Sequence, residues 1–148
     1  MNFGIMARTL DHVVLWVADP LASVEFYEKV VGLEGVRVAE FREGKTPFLS
    51  VRISETALID LAKREMAPML NGMSATFDPR AAESAGHPVH HVCIAMSEAE
   101  FEELRQRLTA AGKEPKAFLK NSFGARGTAP NTFYFTDLDG NVLEARHY

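Results

Sequence analysis

The chain has 148 residues, 47% of them hydrophobic and 24% charged, with a formal net charge of −4 at pH 7. That length predicts one domain, residues 1–148, with a full-sized core, and no apolar run approaches the ~20 residues a membrane helix needs. The single cysteine, Cys93, excludes an internal disulfide framework and fits a reducing, cytoplasmic setting; Met1 to Leu10 has no secretory-leader pattern, and the acidic balance argues against generic nucleic-acid binding.

Leu10 to Val17 reads LDHVVLWV, which predicts a strand. Alternation sends His12, Val14 and Trp16 to one face and Val13, Leu15 and Val17 to the other. Asp19-Pro20 ends this strand. Leu21, Val24, Phe26-Tyr27 and Val31 then recur at helical spacing, up to Gly32 as a C-cap glycine. Val36 to Phe41, Phe48 to Ile53 and Thr56 to Leu61 read as three more strands, so residues 10–61 have the order β-α-β-β-β. Residues 62–88 hold Met66, Met69 and Met73 among prolines and glycines with no sustained period, and read as a linker or lid with one helical turn.

The pattern then returns over residues 89–148. Val89 to Met96 alternates as a strand. Ser97 and Glu100 form a capping box ahead of a helix over Glu98 to Ala111, which Gly112 stops. Lys116 to Leu119, Thr132 to Thr136 and Val142 to Arg146 finish as strands, with Asp139-Gly140 as a tight turn between the last two. LDHVV matches VHHVC, and LIDL matches VLEA, so the chain is an internal repeat. The predicted fold is α+β: two tandem βαβββ modules with mixed, mostly antiparallel sheets around a cleft and helices outside. Each module is near the size at which it is only marginally stable alone, so module pairing is expected, within the chain or across a dimer.

Four polar residues hold equivalent places in the repeat: His12 and His91 in first strands, Asp60 and Glu144 in last strands. Their apolar neighbours take the helix-facing parity, so all four project from the opposite face. An inward acid on an apolar strand needs a partner. Imidazole nitrogen with carboxylate oxygen suits one divalent ion such as zinc, nickel, iron(II) or manganese, and Glu144 could also carry a proton. Tyr134 takes the cleft parity as a proton donor or substrate contact. Trp16 faces the cleft as a stacking or packing residue. Arg126 sits in a glycine-flanked loop, as an anion contact or a solvated residue. Cys93 reads as a small filler on His91's face, His90 as helix-facing, and His87 and His147 as surface residues.

HVVLWV at His12 to Val17, with Ser23, Phe26-Tyr27 and Gly32-Leu33, resembles the first signature of the glyoxalase–bleomycin resistance–extradiol dioxygenase (vicinal-oxygen-chelate) superfamily, with Val31 where a larger unbranched residue is usual. HHVCIA at His90 to Ala95 resembles its second signature. FYFTDLDGNVLEA at Phe133 to Ala145 is similar to its C-terminal segment, with Leu138 in place of proline. The resemblance implies metal ligation by His12, His91 and Glu144, with Asp60 where lactoylglutathione lyases place a fourth, glutamate ligand. It implies catalytic roles for Glu144 and Asp60, a small-molecule substrate, and a homodimer with shared or module-swapped sites.

The implied activity is a lactoylglutathione-lyase-like isomerisation of a small carbonyl–thiol adduct through a metal-stabilised enediolate. Extradiol dioxygenases carry a histidine shortly before the Phe-Tyr pair, where this chain has Ala125 to Thr128. Fosfomycin-modifying transferases carry a phosphonate-binding lysine and serine loop, where this chain keeps only Thr128 and Thr132. Epimerases carry a glutamine near Asp60. A metal-free drug-binding module generally lacks the inward histidines. Ring-cleaving dioxygenation, epimerisation and non-catalytic binding stand as the alternatives.

Overall fold

A computed structural model describes residue 10, residues 12–76, residue 89, residues 91–124 and residues 126–148. The expectations for His87, His90, Ala125 and residues 77–88 lie outside the described residues. The elements are β1 (His12–Val17), α1 (Pro20–Phe26) running on into a π turn (Tyr27–Val31), β2 (Glu34–Val36), α2 (Val38–Arg42), β3 (Leu49–Ser54), β4 (Ala57–Lys63), α3 (Ala67–Ala75), β5 (Val92–Met96), α4 (Glu98–Ala110), β6 (Lys116–Gly124), β7 (Gly127–Thr136) and β8 (Val142–His147).

The strands form two four-stranded sheets of identical plan, β1-β4-β3-β2 and β5-β8-β7-β6. In each, the first strand runs parallel to the last and the other pairings are antiparallel. These are the tandem βαβββ modules expected from the repeat. The helix-facing parity is apolar and buried: Leu15, Val17, Ile59 and Leu61 in one sheet, Ile94, Phe133, Phe135 and Leu143 in the other. These side chains join Phe101, Leu104 and Leu108 of α4 in one continuous core.

Local chemistry sets the helix boundaries. Asp19 caps α1 by accepting from the amides of Leu21 and Ala22, and Pro20 fills the first position, where its missing N–H costs nothing. Gly32, at φ 85°, takes the left-handed conformation that ends the π turn. The Ser97–Glu100 capping box starts α4.

Several elements differ from expectation. β6 runs on to Gly124 and β7 starts at Gly127, so a long hairpin replaces the expected short strands at Lys116–Leu119 and Thr132–Thr136 and the loop between them. The strand expected at Val36 to Phe41 stops at Val36: Arg37 turns left-handed at φ 62°, its guanidinium lies over Phe48, and α2 follows. Val38 and Phe41, three apart, then pack on the core from one helical face. In the expected linker, β4 extends to Lys63 and α3 runs for nine residues. Pro68 sits in the first turn of α3, so it does not interrupt that helix.

The modules are fastened to each other by a polar bolt. The Tyr27 hydroxyl, fully buried, donates to Asp137 Oδ2 at 2.9 Å. Asp137 also accepts from the backbone amides of Asp139 and Asn141 and from the Asn141 side chain. Asn141 Nδ2 reaches the Trp16 carbonyl, Asp139 accepts from the Ala18 amide, and Arg107 Nε donates to the Val30 carbonyl. Four donors on one buried carboxylate offset its loss of water. Burial and the Asp137 charge push the Tyr27 hydroxyl well above its ordinary pKa.

Candidate functional site

The face of each sheet turned away from the helices carries the polar residues. In the first module Asp60 pairs in register with Val14, two residues after His12. In the second, Glu144 pairs with Cys93, two residues after His91. The carboxylates therefore hold the same lattice position in both sheets. Both are buried, Asp60 at 7% and Glu144 at 2% exposure. His12 Nε2 lies 3.8 Å from Asp60 Oδ2, and His91 Nε2 lies 3.2 Å from Glu144 Oε2.

The second oxygen of each carboxylate is held by a neighbour. Ser50 Oγ, in register across β3–β4, donates to Asp60 Oδ1 at 2.5 Å. Arg146 Nη2 donates to Glu144 Oε1 at 2.8 Å. Arg146 is itself buried and braced: Nε lies 3.2 Å from Cys93 Sγ, and Nη1 and Nη2 reach the Ser122 carbonyl, the Ser122 hydroxyl and the Tyr148 hydroxyl. A Cβ at Gly124 would overlap this guanidinium, so β6 passes close only because that residue is glycine.

Across the second sheet, Lys116, Tyr134, Glu144 and Cys93 are successive cross-strand partners and so share one face. The Tyr134 ring meets His91 edge to face at 5.3 Å. Desolvation and the Glu144 carboxylate hold the Tyr134 hydroxyl above its ordinary pKa, which keeps it a donor. Desolvation and Glu144 likewise raise the Cys93 thiol, so it is not poised as a thiolate.

The residues expected at the site thus fall into two pairs, His12 with Asp60 and His91 with Glu144. Among the described residues no group of three or more metal-binding side chains forms within the chain. Two expectations are corrected. His147 is buried at 4% exposure, edge to face with Phe101 at 4.9 Å and 3.4 Å from Asn131, because its parity on β8 faces the helix. Cys93 is exposed rather than a filler. Arg126 is exposed, in line with the solvated reading, and lies over the Tyr148 ring with its amide donating to the Tyr148 hydroxyl. Ser50 and Arg146 escape sequence reading. Parity marks Arg146 as Glu144's face-mate, but only the pairing of strands shows what it holds.

A model of the Glyoxalase/Bleomycin resistance protein/Dioxygenase superfamily matches residues 9–145. The chain belongs to this superfamily. Among solved structures, the fold is shared with an integron cassette protein from the mobile metagenome of V. cholerae, at 24% identity over 99% of each chain and a TM-score of 0.68. It is shared with a virulence protein of Salmonella typhimurium, at 23% identity over 97% of this chain and 99% of that one, TM-score 0.67. A lactoylglutathione lyase from Agrobacterium tumefaciens matches at 18% identity over 97% and 96% of the chains, TM-score 0.61.

Proposed function

We propose that this superfamily member is a divalent-metal-dependent enzyme acting on a small carbonyl compound, with isomerisation of a thiol adduct as in a lactoylglutathione lyase. One observation carries the reading. Two imidazole–carboxylate pairs occupy the same register position in two repeated sheets, each carboxylate having one oxygen anchored and the other turned to an imidazole. The donor types fit, and one pair fits in spacing: two ligands about 2.1 Å from one ion stand about 3.0–3.5 Å apart, His91 and Glu144 stand 3.2 Å apart, and His12 and Asp60, at 3.8 Å, must draw closer to share an ion. His12, His91, Glu144 and Asp60 are the proposed ligands.

A bound divalent ion would supply Lewis-acid polarisation of the substrate oxygens. The chain's own groups do the rest. Glu144 Oε2, or Asp60 Oδ2, takes the proton from the carbon beside the carbonyl and returns it to the neighbouring carbon. Tyr134, protonated and beside His91, donates to a substrate oxygen. Each pair supplies two ligands, and a second copy of the chain is the proposed source of the complementary pair, giving a homodimer with sites shared between modules 10–61 and 89–148. No helix among the described residues is long and apolar enough to cross a membrane, and the lone cysteine supports a cytoplasmic setting.

The test is metal quantitation on the purified chain, followed by methylglyoxal–glutathione isomerisation with nickel, zinc, manganese or iron(II) added back. Stoichiometric metal and activity lost in His91→Ala and Glu144→Ala are expected. Absence of metal, with small-molecule binding intact in His12→Ala and Glu144→Ala, would instead make the chain a binding module. Oxygen uptake on catechols would make it a dioxygenase.

A further inference from the structure

A cavity of about 400 Å³ opens beside Tyr134, where the loop after α4 meets the start of β6. Gly112, Lys113, Glu114 and Lys116 line one side, and Tyr134 and Thr136 line the other. That volume suits a small ligand. Lys116 is the cross-strand partner of Tyr134, and Tyr134 is the partner of Glu144. Two strand spacings, about 10 Å of backbone, therefore separate Lys116 from Glu144 along one face of the sheet. The register breaks between Lys116 and Leu119, with Ala117 at φ 51°, so a bulge sits beside the cavity and holds Lys116 opposite Tyr134.

The charges at this end of the face are uneven. Lys113 Nζ donates to the Asp137 carbonyl at 3.1 Å, which leaves its other N–H groups available. Lys116 is exposed and makes no ion pair or hydrogen bond among the described residues. Glu114 is the one carboxylate in the wall. Two ammonium groups against one carboxylate give a local positive end on a chain whose net charge is −4, and a phenol and a hydroxyl stand opposite as neutral donors.

We propose that this cavity binds the anionic tail, phosphate or carboxylate, of a small oxyacid whose other end reaches His91 and Glu144. The proposal rests on the metal-site reading for the placement of that head; the tail contacts to Lys113 and Lys116 stand without it. The substrate class is accordingly a short compound with an oxygen-rich head and a second negative group one tail-length away.

Three probes separate the cases: 2-phosphoglycolate, malonate and glycolate share a carboxylate and differ in bearing a phosphate, a second carboxylate or a hydroxyl. Each is titrated into the isotope-labelled full chain, with and without zinc, and followed by amide shifts. At least one dianion should move the amides of residues 112–116 while glycolate does not, and the stronger dianion names the tail. K116M should weaken that dianion by about tenfold or more, with K116R retaining most of the binding. Equal shifts from glycolate, or unchanged dianion affinity in K116M, would overturn the proposal. Zinc binding that is intact while the dianions ignore the lysines removes the tail site alone. Dianion binding at the lysines on a chain that takes no zinc keeps the tail site and removes the metal reading.

Discussion

Arg146 and Glu144, two residues apart on β8, form a buried charge-assisted hydrogen bond of 2.8 Å between Nη2 and Oε1. That bond fixes which oxygen of Glu144 remains to face His91. The first module reaches the same end with different parts, since Ser50 anchors Oδ1 of Asp60 and leaves Oδ2 toward His12. A repeated geometry built from unlike neighbours argues that the anchored carboxylate, rather than any single anchor, is what the fold maintains.

Breaking the Arg146 anchor strands a buried carboxylate. Arg146→Met should destabilise the chain by about 3–5 kcal/mol in urea unfolding, because removing one partner of a buried pair leaves the other charge uncompensated. Arg146→Lys keeps the charge and loses the planar fork. It should fold, yet bind manganese more weakly by calorimetry than the unaltered chain. Equal affinity in the lysine variant would show that the fork does not place Glu144.

Ser50→Ala removes one hydroxyl behind Asp60. A loss of about 1 kcal/mol is expected for one such bond, with metal affinity reduced several-fold and the far-UV spectrum unchanged. Asp60→Asn, tested alongside, should reduce metal affinity further if Asp60 is a ligand.

The Tyr27–Asp137 bolt predicts an alkaline limit to stability. The folded state raises the Tyr27 pKa above its ordinary 10.0, so above that pH the unfolded chain releases a proton that the folded chain retains. This stabilisation is complete below pH 10 and is lost as pH rises toward the folded value, at about 1.4 kcal/mol per pH unit. Urea midpoints measured from pH 8 to 11 should fall more steeply in the unaltered chain than in Tyr27→Phe. Parallel slopes would remove Tyr27 from the account.

If a second copy completes each site, His12→Ala and Glu144→Ala should complement each other. Each variant alone is inactive; a refolded mixture forms heterodimers in which one site holds both lesions and the other none. About a quarter of the unaltered activity should return by random pairing of a symmetric dimer. No recovery, with heterodimers shown by mass spectrometry, would place both halves of the site within one chain.

Alternation alone makes the plan of the site legible. In a strand, parity is local: Ile59 and Leu61 facing the core force Asp60 the other way, and Leu143 and Ala145 do the same for Glu144. The match of LDHVV to VHHVC locates the repeat, and with it the superfamily. Parity misleads at Arg37, where a left-handed residue breaks what alternation reads as a strand. Parity with Leu143 and Ala145 turns His147 to the helix side, against its reading as a surface residue, and its edge-to-face packing on Phe101 of α4 is visible only in the fold.

The sequence by itself therefore determined the two modules, the faces of their strands and the four polar residues those faces carry, because side-chain direction follows from the backbone period alone. Tertiary structure decided which neighbours complete them: Ser50 behind Asp60, Arg146 beside Glu144, Asp137 under Tyr27 and Lys116 across from Tyr134. Three of these contacts cross between strands or modules, and the fourth turns on the rotamer of a side chain braced from β6. Only the closed register sets such groups beside one another, which no local pattern encodes.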